Sequence, residues 1–300
     1  MKPMLACDID FDKAQYPLWG FPKLDGVRAS NYNGKLLARS MEPHENLFTT
    51  NKYSGPLFSG LDGELVVGSP IAEDVLNKTS SATRTINWEG NISWYVFDFI
   101  GNCINTNPSY EERYNALLYV VEDSNLAKHN VYVLNYKIVN SKEEAIDFYK
   151  SCLTEGYEGA IFRNPKAKRK NGRSSVKYND FLRAKPQSDK EARIVSVYEA
   201  MENRNEAKTN ALGRTERSSH KENLVGKNTL GGMVGIDLET GQQINIAPGK
   251  LLHSEREHLW HNQQEIVGKI VKYRSMDKGV KDKPRFARFI SFRSERDMSK

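Results

Sequence analysis

Apolar residues recur along this chain in two patterns, one with the 3.6-residue period of a helix and one that alternates as in a strand. Each of three helical stripes follows a serine that has a glutamate three residues later, which is the capping-box pattern of a helix N-terminus. The three pairs are Ser109 with Glu112, Ser141 with Glu144, and Ser254 with Glu257. The sequence therefore predicts three helices that begin at these pairs, the last of them ending near Gly268.

Runs of β-branched and aromatic residues predict strands between and after these helices. They occupy residues 65–67, 94–100, 131–134 and 160–162 and, beyond Pro186, residues 194–198, 233–238, 243–246, 269–274 and 287–292. Five short strands with one helix are typical of a small closed barrel such as an OB-fold. We therefore expect an α+β chain of two domains, residues 1–186 and 187–300, with a boundary near residues 185–190. Residues 201–227 are mostly charged and polar, which predicts a long exposed loop.

Composition narrows the class of protein. The chain has 300 residues, of which 38% are hydrophobic and 27% charged, and we expect a folded, cytoplasmic protein. It contains neither the long apolar run of a membrane span nor the apolar core of a secretory signal. The three cysteines, at positions 7, 103 and 152, lack metal-site spacing and are expected to be reduced thiols.

The chain is basic, with a net charge of +6 and a pI near 9.0, and this balance favours a polyanionic partner. Six basic residues lie within residues 166–177: Lys166, Lys168, Arg169, Lys170, Arg173 and Lys177. A run of this kind could be a solvated loop. It could also bind the phosphates of nucleic acid.

The segment from Phe21 to Arg28, FPKLDGVR, carries the strongest chemical signal. Pro22 and Gly26 predict a strand that enters a sharp reversal, and Lys23 and Asp25 are expected on one face of it. A lysine becomes a nucleophile only after losing its proton, and a phosphate accepts its electron pair only when nearby cations neutralise the phosphate oxygens. Arg28 could offer its planar guanidinium to a phosphate or a ribose. Taken alone, the segment could equally be a surface turn.

Four later segments add groups of the same chemistry. Glu64 follows a glycine turn, and Glu158 lies between two glycines where its carboxylate could hold a metal ion. Phe97 could stack on a purine while Asp98 faces the opposite side. Residues 183 and 185, Arg183 and Lys185, alternate in a strand and would point together at phosphate. Each residue also has a purely structural interpretation: the glutamates as solvated loop acids, Phe97 as a core aromatic, and Arg183 and Lys185 as a solvent-exposed strand face. Their joint occurrence favours a nucleotide site.

In this order the segments resemble the motifs of ATP-dependent DNA ligases, especially the small bacteriophage and bacterial forms. KLDGVR resembles the adenylation motif, LARS around Arg39 the next motif, and DGELV, YVFDF, EGYEG and LRAK the later ones. The resemblance continues through residues 211–223 and 284–292 and so covers nearly the whole chain. Two features depart from the common pattern. Arg183 stands where a lysine is usual. The chain also begins only 22 residues before Lys23, which favours a minimal enzyme that uses ATP rather than NAD.

The resemblance implies an ATP-grasp-like nucleotidyltransferase domain with antiparallel sheets, followed by the OB-fold barrel. It implies that Lys23 forms a covalent bond to AMP, which then activates the 5′-phosphate of a DNA nick for attack by the 3′-hydroxyl. Lys23, Asp25 and Lys185 are the expected catalytic residues, and Glu64 and Glu158 the expected ligands of Mg²⁺, for which Mn²⁺ could substitute. The expected ATP-binding residues are Phe21, Arg28, Arg39, Glu64, Phe97, Glu158, Arg183 and Lys185, with Tyr95 as the alternative stacking aromatic.

The expected partner is nicked double-stranded DNA, gripped by the six basic residues and the C-terminal domain of a monomeric enzyme with no membrane contact. An RNA ligase or an RNA-capping enzyme is the closest alternative, because both share the superfamily. A non-catalytic nucleic-acid-binding protein is a second alternative, which predicts DNA binding without an adenylate on Lys23.

Overall fold

The computed structural model describes residues 2–101, 106–186, 188–210, 213–276 and 284–293. The chain forms two compact units, Met1–Lys185 and Pro186–Lys300. Cys103 lies outside the described residues, as do two residues of the 211–223 segment.

The first unit contains two five-stranded sheets and one two-stranded sheet. One large sheet has the order β2-β12-β10-β3-β9, the other the order β5-β4-β6-β7-β8, and the small one pairs β1 with β11. The strands are β1 (Met4–Leu5), β2 (Cys7–Asp8), β3 (Leu18–Lys23), β4 (Val27–Tyr32), β5 (Lys35–Ala38), β6 (Leu61–Val67), β7 (Ile92–Phe99), β8 (Val131–Val133), β9 (Lys137–Val139), β10 (Gly159–Arg163), β11 (Gly172–Arg173) and β12 (Phe181–Ala184). The pairing is mainly antiparallel, as expected, but β2–β12, β7–β8 and β1–β11 are parallel.

The described residues of this unit form four α-helices: α1 (Leu47–Tyr53), α2 (Val75–Arg84), α3 (Tyr110–Asp123) and α4 (Lys142–Thr154). The Ser109 side chain accepts a hydrogen bond from the Glu112 N–H and the Glu112 carboxylate accepts one from the Ser109 N–H, so this capping box is confirmed. Ser141 likewise accepts a hydrogen bond from the Glu144 N–H at the start of α4. No helix of the described residues is long and apolar enough to cross a membrane.

The core of the first unit is aromatic. Trp94 and Tyr53 are fully buried, with ring centroids 5.3 Å apart, and Leu61, Leu65 and Ile92 are buried in the same cluster. Strand β7 alternates strictly, with its even-numbered residues buried and its odd-numbered residues half-buried from Ile92 to Phe99. One face of β7 therefore packs in the core, and the other face is available to line a site.

The second unit is built on a five-stranded sheet of order β17-β16-β13-β18-β19. Its elements are β13 (Ser188–Asn203), β14 (Ala207–Thr209), β15 (Thr215–Arg217), β16 (Leu224–Asp237), β17 (Gln243–Ile246), α5 (His253–His261), β18 (Ile270–Met276) and β19 (Arg285–Phe292). Ala247, directly after β17, donates a backbone hydrogen bond to Ala287 and accepts one from Phe289, both in β19. The two outer strands of the sheet therefore approach each other at this point.

Two sequence predictions for this unit are wrong. Helix α5 begins at His253, because the Glu255 carboxylate accepts a hydrogen bond from the Leu252 N–H, and it ends at His261 well before Gly268. The expected loop at residues 201–227 contains ordered β-structure instead. Strands β13 and β16 continue into it, and β14 pairs with β15 beyond them. We call residues 203–223 the β-arm.

Candidate active site

Strand β3 delivers Lys23 to the end of the sheet, and a tight turn then reverses the chain into β4. Gly26 lies in this turn, and a Cβ atom built on it would come within 2.4 Å of the Leu65 carbonyl oxygen. Only glycine permits this approach of the turn to β6 without displacing the backbone. The strand and reversal predicted around Lys23 are confirmed, and the turn brings Lys23 next to the strand that carries Glu64.

The Lys23 ammonium forms an ion pair with the Glu158 carboxylate, and the Glu158 N–H donates a hydrogen bond of 3.0 Å to the Lys23 carbonyl. The Lys23 side chain is 19% exposed and that of Glu158 is 6% exposed. Antiparallel pairing of β3 with β10, in which Lys23 lies opposite Gly159, fixes this contact. A Cβ atom on Gly159 would lie 2.1 Å from the Ala184 carbonyl oxygen, so glycine permits the close packing of β10 against β12.

Strand β12 adds the cationic groups on the other side of β10. Ala184 lies opposite Ala160 and Arg183 opposite Ile161 in the register. Arg183 donates a hydrogen bond of 2.7 Å from Nε to the Asp8 carboxylate. Burial lowers the pKa of Lys185, and the charges of Arg183 and Lys23 lower it further, while Glu158 and Asp8 oppose them. The pairing of three adjacent strands thus brings a lysine, a carboxylate and two further cations together at one end of the sheet.

The Arg28 guanidinium forms hydrogen bonds and a ring contact within the protein. Its Nε and Nη2 each donate a hydrogen bond of 2.6 Å to the Asp62 carboxylate, and Ser30 Oγ donates to the same carboxylate at 2.6 Å. The guanidinium carbon also lies 4.6 Å from the ring centroid of Phe97. The sequence suggested that the planar Arg28 guanidinium would bind a phosphate or a ribose. In the structure its Nε and Nη2 donors are already bonded to Asp62.

Glu64 lies opposite Arg28 in the β4–β6 register. Its Oε2 atom is buried and has no hydrogen-bond partner within the described parts of the chain. Burial raises the pKa of Glu64 to about 7, against the lowering effect of the Arg28 and Lys23 charges. A buried carboxylate oxygen without a donor is costly, and a bound cation or hydroxyl group would satisfy it.

Phe97 and Tyr95 share the half-buried face of β7, where Tyr95 packs against the buried cluster of Leu24, Val66 and Val75. Phe97 is half-buried, so it is not purely a core residue, and Arg28 covers one face of its ring. Tyr95 lies 5.7 Å from Tyr132, with the two rings tilted. Asp98 points to the opposite side of β7, as predicted, where it binds Arg113 and Arg163.

Phe21 departs from its predicted role. It is only 2% exposed and packs in the core against Tyr110 and Tyr114, with ring centroids 6.0 and 5.8 Å apart. Its side chain therefore has almost no surface left for a nucleotide, because the aromatic cluster encloses it. Asp25 is also buried, with 6% exposure.

Arg39 follows β5 and is exposed at the same site. Partial burial lowers its pKa, and so do the positive charges of Arg173, Arg183 and Arg28, while Glu64 opposes them. The charges of Arg173, Arg183 and Arg28 thus act together on Arg39 in a cationic cluster. Such a cluster favours the binding of an anion with several negative oxygens.

The basic residues of segment 166–177 divide into two groups. Lys166, Lys168, Arg173 and Lys177 are exposed. Lys170 is half-buried, 3.4 Å from an Asp180 oxygen, and Arg169 donates hydrogen bonds to Asn171 and to the Lys2 carbonyl. The three lysines of the first group remain available for a polyanion, and the second group anchors the segment to the rest of the unit. Arg173 is exposed but also anchors the segment, because its Nη1 donates a hydrogen bond of 2.9 Å to the Ala6 carbonyl.

Sequence reasoning missed the partners that orient these groups. Asp62 and Asp8 hold Arg28 and Arg183, and Arg113 with Arg163 holds Asp98. Asp62 stands in the DGE segment that was already noticed, so its position two residues before Glu64 could have indicated it. Asp8 and Arg113 lie far from any motif, and no local signal in the sequence marks them.

The sequence of the chain matches the model of a known family. The family model described as the ATP dependent DNA ligase domain matches residues 3–179, more than half of the chain. The chain therefore belongs to the ATP-dependent DNA ligase domain family, and it is a ligase of the nucleotidyltransferase type that uses ATP. This membership confirms the resemblance and favours DNA ligase over the RNA ligase and capping alternatives. No curated protein sequence matches the chain.

Solved structures share the fold over nearly the full length. The structure of Chlorella virus DNA ligase-adenylate is 23% identical, with a TM-score of 0.54 over 98% of this chain and 99% of that one. A structure from work on DNA binding by Lig E DNA ligases is 19% identical, with a TM-score of 0.71 over 98% of this chain and 100% of that one. At these identities the likeness establishes the mixed α/β fold with several sheets.

Proposed function

We propose that this ligase seals breaks between a 5′-phosphate and a 3′-hydroxyl in duplex DNA through an AMP bound covalently to Lys23. The proposal rests on the pairing of β3 with β10 and of β10 with β12, which we call the strand ladder. It holds Lys23 against Glu158 and near Arg183 and Lys185. A lysine whose backbone and side chain are both fixed can meet a phosphate in one orientation, which lowers the entropic part of the barrier.

In the first step the Lys23 amine, having lost its proton, attacks the α-phosphorus of ATP. A phosphorus–nitrogen bond forms, the bond to the β-phosphate oxygen breaks, and pyrophosphate leaves with the electron pair. Lys185 and Arg183 neutralise the α-phosphate oxygens during this transfer. Arg39 and Arg173 extend the cationic surface toward the phosphates, whereas Arg28 acts through its contacts with Asp62 and Phe97.

Mg²⁺, when bound, would neutralise phosphate charge during these transfers, and Mn²⁺ accepts the same oxygen ligands. Glu64 and Glu158 fit this role, because the buried Glu64 Oε2 atom has no donor among the described residues and Glu158 lies beside Lys23. Within those residues no three acidic, histidine or cysteine side chains cluster, so phosphate oxygens would complete the ion's coordination. The adenine is proposed to stack on the side of Phe97 away from Arg28, with Tyr95 as the alternative.

The second and third steps need nicked DNA. The 5′-phosphate of the nick takes AMP from Lys23, and the 3′-hydroxyl then displaces AMP and forms the phosphodiester bond. Exposed Lys166, Lys168, Arg173 and Lys177 are proposed to contact the DNA backbone, together with Arg169 and Lys170 less directly. Such contacts carry no sequence information, so binding is expected to be non-specific and sensitive to salt.

The second unit is proposed to be an OB-fold barrel that binds the same DNA, with the chain acting as a monomer. The hydrogen bonds between Ala247 and strand β19 support closure of the sheet into a barrel. OB-folds commonly bind nucleic acid on the face of their sheet.

Labelled ATP tests the proposal directly. The wild-type chain is incubated with ATP labelled at the α-phosphate, in parallel with GTP and NAD, and separated by denaturing electrophoresis. We expect a labelled band with ATP, its loss in Lys23→Ala, and its retention in Lys78→Ala, which removes an exposed lysine of α2 paired with Asp74. A labelled band that survives Lys23→Ala would overturn the assignment. Sealing of nicked duplex DNA, compared with single-stranded RNA ends, then tests the substrate.

A further inference from the structure

The β-arm is held together without a hydrophobic core. Among the described residues of segment 203–223, Asn205 alone is buried, with 7% exposure, and the others are exposed or half-buried. Burial of apolar surface therefore contributes little to the position of this arm. Its order must come from hydrogen bonds.

Asn205 is the centre of these hydrogen bonds. Its side-chain amide donates to Asn203 Oδ1 at 2.8 Å, to the Ser218 carbonyl at 2.9 Å and to the His220 carbonyl at 2.8 Å. Its Oδ1 accepts a hydrogen bond of 3.1 Å from Asn223 Nδ2, and its backbone carbonyl accepts one from Arg217. Asn205 precedes the β14–β15 hairpin, Arg217 is the last residue of the hairpin, and residues 218–223 follow it. One side chain thus ties both ends of the hairpin together.

The hairpin beyond Asn205 carries more positive than negative charge. Lys208, Arg214 and Arg217 are exposed, and Glu216 lies opposite Lys208 in the register. Thr209 lies opposite Thr215 in the register, at the strand pair nearest the tip. Arginine, lysine and threonine side chains are common donors to DNA phosphates.

We propose that Asn205 is a positioning residue for DNA, because it fixes the direction in which the β14–β15 hairpin presents its basic side chains to the duplex. The inference rests on the proposed DNA-sealing function. It assigns to Asn205 no contact with the reacting atoms. Its effect is expected on the binding of nicked DNA and not on the reaction of Lys23 with ATP, since the two groups lie in different units.

Asn205→Asp tests this inference, because it keeps the shape of the side chain and replaces two N–H donors by an oxygen that faces two carbonyl groups. Ser219→Asp is the matched control, which adds the same charge to an exposed position of the β-arm. Binding of a nicked duplex, trypsin cleavage at Lys208, Arg214 and Arg217, and Lys23 adenylation are measured for each. For Asn205→Asp we expect binding about 10-fold weaker, with a salt slope lower by about 1.8 if two phosphate contacts are lost. Cleavage is expected to be faster and adenylation unchanged.

The control is expected to change binding by less than about 3-fold, as a single exposed charge does. Equal binding by Asn205→Asp and Ser219→Asp would overturn the inference. Asn223→Ala removes one hydrogen-bond donor to Asn205 and, because Asn223 is exposed, should not disturb the fold. If trypsin cleaves this variant no faster than the wild type, that result would also count against the inference. Failure of the wild-type chain to seal nicks would instead refute the proposed function, whatever the variants do.

Discussion

Replacing Asp98 by asparagine would remove the negative charge from a buried cluster with two arginines. The Asp98 carboxylate accepts hydrogen bonds from Arg113 Nε at 2.7 Å, Arg113 Nη2 at 3.1 Å and Arg163 Nη2 at 2.9 Å. All three residues are 2% exposed or less. Asparagine has the same shape, but it is neutral and removes the negative charge that Asp98 places between two buried guanidinium groups.

The magnitude follows from the pKa of Asp98. Burial raises that pKa, but the charges and hydrogen bonds of Arg113 and Arg163 lower it more, from 3.8 to about 2. This lowering corresponds to roughly 2 kcal/mol of free energy of unfolding. Because the pKa is depressed, this stabilisation is present above pH 4 and is lost as the pH falls through about 2. Asparagine also removes the charge that Asp98 supplies to both buried arginines, so we expect a loss of about 3–5 kcal/mol at pH 7.

Urea unfolding at pH 7, followed by the fluorescence of buried Trp94 and Trp19, measures this loss. Asp74→Asn is the control, because Asp74 forms an exposed ion pair with Lys78 and its removal should cost less than about 1 kcal/mol. The gap between Asp98→Asn and the wild type should narrow below pH 3, where the wild-type carboxylate begins to take up its proton. A loss below about 1 kcal/mol at pH 7 would refute the reasoning about the buried cluster.

Two further predictions concern the candidate active site. Burial raises the pKa of Glu64 from 4.5 to about 7, so the native state keeps the Glu64 proton up to a higher pH than the unfolded state does. The free energy of unfolding therefore falls as the pH rises from about 4.5 to about 7. Without nucleotide, the stability of Glu64→Gln relative to the wild type should therefore rise by about 3 kcal/mol between pH 4 and pH 8 in urea unfolding, and an unchanged difference would contradict this reasoning. Arg183→Lys keeps the charge near the α-phosphate and should retain adenylation within about 10-fold, whereas Arg183→Ala should lose about 100-fold. Equal adenylation by the wild type and Arg183→Ala would exclude a role in the transfer.

Local sequence signals predicted the elements that local interactions determine. The capping boxes at Ser109 and Ser141 place the starts of α3 and α4 correctly, because the groups involved are three residues apart. The similar pattern at Ser254 is misleading, since the glutamate that caps α5 is Glu255 and its partner is the Leu252 N–H. The strands of the β-arm were not predicted, because the arm lacks the alternating apolar residues by which strands are recognised. Hydrogen bonds to Asn205 hold it instead.

The candidate site was predictable in its chemistry but not in its internal pairing. Motif residues identified Lys23, Glu64 and Glu158, and the ladder places Lys23 against Glu158. The sequence could not reveal that Arg28 binds Asp62 or that Phe21 belongs to the aromatic core, because both depend on strands far apart in the chain. Side-chain direction at the end of a strand follows from packing, which residue types alone do not specify.

The ladder that holds Lys23 also determines when this site can form during synthesis. Strand β3 pairs with β10 about 140 residues later, and the first strands, β1 and β2, pair with β11 and β12. Contacts so distant along the chain close large loops and form late in folding. A nascent chain that has emerged only as far as α4 has its nucleophile but lacks Glu158, Arg183 and Lys185. We therefore expect competence to react with ATP only after residues 158–185 have left the ribosome and completed the sheet.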